Sequence, residues 1–139
     1  MNALLLLLWL AGFVQIAIAS TIFFLPRKLK YQENLERVAP IIRQVFVVHS
    51  VYIVGVLLLF AALTLGFAPD MASGHGLGRF LAAGIAVFWL FRAPVQLLYC
   101  DASLRRTNRL GDVAFTAAAI FLTVACGAAS FLARPELVR

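Results

Sequence analysis

Four long apolar runs, separated by polar stretches that carry most of the charge, dominate the chain. The first covers Ala3 to Leu25 without a charged residue. The second extends from about Gln44, just after Arg43, to Ala68, just before Pro69. The third runs from Arg79 to Cys100 with Arg92 as its internal charge, and the fourth from Asp112 to Ala133. A helix of about 20 residues crosses an apolar bilayer core of about 30 Å. Four such helices in a soluble protein would leave no polar face for water. The pattern predicts an all-α, polytopic membrane protein with one domain over 1–139, a bundle of four transmembrane helices at about 3–25, 44–68, 79–100 and 112–133. Pro94 lacks the amide that would bond the Leu90 carbonyl, so the third helix is expected to kink there.

The polar stretches give direction to these spans. Between the first and second lie Arg27, Lys28, Lys30, Arg37 and Arg43, and between the third and fourth lie Arg105, Arg106 and Arg109. The remaining connection has Arg79 at its edge, and the tail has Arg134 and Arg139. Positive loops stay in the cytoplasm, so 26–43 and 101–111 are expected inside and both termini outside, in a bacterial inner membrane. The first run lacks a basic leader and exceeds the apolar length of a signal peptide, so a retained helix is expected. Lys28 to Val38 has helical spacing, with Glu33 and Arg37 as an i, i+4 pair, and reads as a short interfacial helix ended before Pro40. Gly74, Gly76 and Gly78 partly match a phosphate-loop spacing, but no strand precedes them and no lysine follows. The stretch Pro69 to Gly78 reads as a flexible outer turn.

Composition agrees with the pattern. Hydrophobic residues make up 63% and charged residues 13%, with a mean hydropathy of +0.97. Soluble domains run about 45–50% apolar and about 25% charged, and disordered chains are more polar still. The net charge of +6 lies in short runs between apolar spans, which points to membrane lipids and away from nucleic acid. Cys100 and Cys126 differ in depth by roughly 20 Å, beyond disulfide reach. With two histidines and no paired metal-ligand spacing, no metal site is assigned, and His75 reads as a solvated loop residue.

Polar groups inside a membrane are costly and therefore informative. Arg92, Gln96 and Tyr99 share one face of the third span, and His49 and Tyr52 share one face of the second. Gln15 lies near the midpoint of the first, with Ser20 and Thr21 further along. If spans two and three face each other, these five residues line a polar pocket in the inner half. One use is structural: Arg92 bonds to His49, Tyr52 and carbonyls freed by Pro94, and locks helix register. Another is binding of a haem, a chlorophyll-type pigment, a quinone or a lipid phosphate, with His49 as an axial ligand and Arg92 on the acidic groups. Catalysis or proton relay needs a second acid or base in the pocket, and the Asp and Glu residues lie outside the spans or, as Asp112, at a span's first residue, so no catalytic residue is assigned.

Span four is rich in small residues, among them Ala117, Ala118, Ala119, Ala125, Gly127, Ala128 and Ala129. Such residues let membrane helices approach closely, and they fall on more sides than one neighbour requires. Other membrane subunits or a second copy of the chain are the expected partners. Span one, with its Leu4 to Leu8 run, Phe23 and Phe24, is expected to face lipid. The run Ile22 to Arg27 is similar to the end of the first helix in small membrane haem proteins of the HemJ and CopD kind. That likeness covers six residues, and the first-helix histidine of those families has no counterpart here, so it implies no fold or site. The function expected first is that of a non-catalytic accessory or assembly subunit of a larger membrane complex, of an energy-transducing kind. A haem-, pigment- or quinone-binding protein comes second, and a transporter third, since no inverted repeat is visible.

Overall fold

The computed structural model describes residues 3–28, 39–99 and 109–133, with side chains described except at 25–28, 96–97 and 99. These residues form α1 (Ala3–Lys28), α2 (Pro40–Gly66), α3 (Ala68–Ser73), α4 (Gly76–Tyr99) and α5 (Arg109–Leu132), with no strand among them. Four helices are long and apolar enough to cross a membrane, over Ala3–Phe24, Pro40–Gly66, Gly76–Val95 and Arg109–Leu132. The chain is a membrane protein. The expected interfacial helix lies, beyond Lys28, outside the described residues, as does the loop before Arg109.

Helix starts precede the apolar runs. α2 begins at Pro40, four residues ahead of Gln44, because proline at the first position surrenders only an amide that has no intrahelical partner. The amides of Ile42 and Arg43 donate to the Ala39 carbonyl at 2.9 and 3.2 Å. α4 begins at Gly76 and α5 at Arg109, so both carry an arginine within their first turn or so. α4 is helical through Pro94 to Tyr99.

The connection between α2 and α4 is a helix rather than a flexible turn. Pro69 and Asp70 occupy the first turn of α3, and Gly74 stops it in the left-handed conformation, φ 72°. Ala68, Met71 and Ala72 are buried. The next helix crosses the Asp70 backbone at Gly78, where a Cβ would collide with the Asp70 carbonyl.

The long helices pack as two antiparallel pairs, α1 with α2 and α4 with α5, and α1 joins the pairs by packing against α5. α2 and α4 touch over a short stretch, where the Phe60 and Phe88 rings meet edge to face with centroids 5.0 Å apart. α1 is not a lipid-facing outlier. Leu8, Ala11, Gln15, Ile18 and Ala19 form a buried stripe, while Leu6, Trp9, Leu10, Phe13, Phe23 and Phe24 face outward. Its small residues let α2 come close, with Gly12 directly against the Leu65 side chain.

That contact and the neighbouring Gln15–Thr64 pair fix a stagger. From Thr64, α2 continues about 36 Å to its start, whereas α1 continues about 20 Å from Gln15 to its end. Laid along a common axis, the first three turns of α2 reach about 16 Å past Lys28, the last residue described in α1. At the opposite end, α3 also packs against α1.

Candidate functional site

The chemistry-bearing side chains fall in three places. The deepest is Gln15, fully buried on α1. Its amide donates to the Thr64 hydroxyl at 3.3 Å, and Thr64 donates to the Phe60 carbonyl at 2.7 Å. The single hydroxyl proton is spent on Phe60, so Thr64 can only accept from Gln15, which orients the amide. Gln15 Oε1 is then left buried without a donor, and the Trp89 indole N–H is likewise buried without an acceptor. Sequence spacing marked Gln15 as intramembrane but not its partner.

The second place is one side of α2. Gln44, Val45, Val48, His49 and Tyr52 line an open cavity of about 350 Å³. These positions recur at helical spacing, so one face carries all five. Tyr52 is 73% exposed and His49 is exposed beside it. The nearby Ser50 hydroxyl is satisfied within the helix, donating to the Phe46 carbonyl at 2.8 Å.

The third place is Arg92, half-buried on α4. Its guanidinium carbon lies 4.9 Å from the centroid of the Phe115 ring on α5. Phe115 in turn lies 6.4 Å from Trp89, and Trp89 meets Phe88 edge to face at 5.6 Å. A chain of rings thus leads from Phe60 on α2 through α4 to the ring beneath Arg92. Edge-to-face pairs contribute about 0.5–1.5 kcal/mol each beyond their contact area.

The structure therefore brings His49 and Tyr52 together but turns Arg92 toward α5, away from their cavity lining. Gln96 and Tyr99 lie in α4, and their side chains fall outside the described residues. The physical reason is the packing order: α4 has α5 as its long-range neighbour and meets α2 mainly near Phe60. No group of three metal-binding side chains forms among the described residues. Cys126 is a free, fully buried cysteine on α5.

Comparison with known proteins finds no match. This holds for family models, curated sequences and solved structures alike. The reading of function rests on the geometry.

Proposed function

We propose that this chain is a non-catalytic accessory or assembly subunit of a larger membrane complex, docking through α2. The observation that carries the reading is the outward polar face of the least enclosed span. Only 11% of the residues in the apolar stretch of α2 are buried, against 28–33% in the other spans. Gln44, His49 and Tyr52 stand on that exposed helix among apolar neighbours. Polar side chains toward hydrocarbon are costly, whereas a facing helix supplies their partners. The small residues of α5 fall on its exposed as well as its buried sides, with Ala114 and Ala117 outward, which offers a further close contact.

The proposal takes the chain as a four-helix bundle bent at Pro94, in a bacterial inner membrane, with both termini outside. Its partner is another membrane subunit or a second copy. A photo-crosslinking residue placed at position 52 is expected to trap a protein chain, while the same residue at Phe80, exposed on α4, traps lipid. Crosslinking to lipid alone from both positions, with a free monomer after gentle solubilisation, overturns it.

A second reading is favoured by the cavity itself. Its volume of about 350 Å³ and the exposed His49 imidazole suit part of a haem, a chlorophyll-type pigment or a quinone. An absorption band that tracks the purified chain and vanishes in His49→Ala supports a metal-ligand role. A colourless chain with no copurifying small molecule by mass analysis rejects this reading.

A further inference from the structure

The Arg92 guanidinium lies over an aromatic ring, 4.9 Å from its centroid, and a ring is not a conventional hydrogen-bond acceptor. A guanidinium carries five N–H donors in a fixed planar fork, and these want oxygen partners. Among the described residues the partner of Arg92 is the Phe115 ring, and no carboxylate reaches it. Its exposed neighbours Phe91 and Val95 leave the flank of α4 accessible from the surroundings.

Depth narrows what can reach that fork. Arg92 lies seven residues, about 10 Å, before Tyr99, the last residue described in α4. This is the end where eight of the chain's basic residues cluster, from Arg27 to Arg43 and from Arg105 to Arg109. The group rests against α5 through the Phe115 ring. A ligand must therefore come to it. The charge and the in-plane fork select an oxyanion that accepts two parallel hydrogen bonds.

We propose that Arg92, braced on Phe115, is a binding site for a phosphate-class oxyanion at the basic end of α4. The source is a phospholipid headgroup or free phosphate. This site is independent of the docking role assigned to α2.

The test uses the full chain in two settings. In nanodiscs of phosphatidylcholine with a minority of phosphatidylglycerol, native mass spectrometry reads the lipid that stays bound. In detergent, inorganic phosphate is titrated against chloride at equal ionic strength, and the thermal midpoint is followed. A lipid source gives retained phosphatidylglycerol, and a free source gives stabilisation by phosphate. In either setting Arg92→Gln is expected to weaken binding about ten- to hundredfold. Arg92→Lys keeps the charge but loses the fork, and Phe115→Leu keeps the volume but loses the ring. Both are expected to bind several-fold less tightly, and both serve if the glutamine variant fails to fold. Equal binding by wild type, Arg92→Lys and Phe115→Leu overturns the proposal, as does an absence of binding by wild type in both settings.

Discussion

The Gln15 amide donates to the Thr64 hydroxyl at 3.3 Å, joining the midpoint of α1 to the last turn of α2. Interhelical hydrogen bonds in membranes average about 0.6 kcal/mol and reach about 1.7. The pair matters less for strength than for register, because it ties residues at unequal distances from their helix ends. Sliding α2 by one turn would strand the Gln15 amide in an apolar surround.

The two partners should respond unequally to substitution. Thr64→Val leaves the buried amide donor without an acceptor and is expected to cost about 1–2 kcal/mol. Gln15→Leu removes that donor together with its unpartnered oxygen and should cost less than about 1 kcal/mol. Combining them should recover part of the valine loss. Unfolding in mixed micelles with rising dodecyl sulfate measures all three, and equal losses would contradict the assigned direction of the bond.

The helical glycines should rank by what lies beside them. A Cβ at Gly78 meets the Asp70 backbone, which cannot rotate away, so Gly78→Ala should destabilise most. At Gly12 it meets the Leu65 side chain, which can move, and the cost should be intermediate, about 1–2 kcal/mol. At Gly55 nothing lies within 4 Å, so Gly55→Ala should be neutral or stabilising by up to about 1 kcal/mol. Thermal midpoints in one detergent give the order.

Arg79 bridges the start of α4 and the end of α5, its Nε–H donating to the Ser130 carbonyl at 2.6 Å. Lysine has no counterpart to Nε at that point of its side chain. Arg79→Lys and Arg79→Ala should therefore lower stability alike, by about 1–2 kcal/mol. Full stability in the lysine variant would show that charge, not this bond, matters.

Cys126 is fully enclosed on α5. In a Cys100→Ser background a water-soluble maleimide should label the chain only after denaturation. Rapid labelling of the folded protein would place α5 differently.

Much of this architecture is legible in the order of residues. The spans follow from runs such as Ala3 to Leu25, whose apolar length has few other uses. α3 escapes periodicity because six residues complete fewer than two turns, although Pro69, Asp70 and Gly74 mark its ends. The buried face of α1 is hidden because leucine and isoleucine occupy both sides, and only Ala11, Gly12, Gln15 and Ala19 betray it. Spacing within α4 places Arg92 on a face but cannot name the helix beyond it. That neighbour is a property of the packed chain, and it turned out to be α5.

The length of α2 has a consequence for the bilayer. Its 27 residues make a helix of about 40 Å, longer than a hydrocarbon core of about 30 Å is thick. Such a helix must tilt, or the surrounding lipid must deform to meet it. Each such mismatch costs a fraction of a kcal/mol per Å, enough to bias where in a heterogeneous membrane the protein resides.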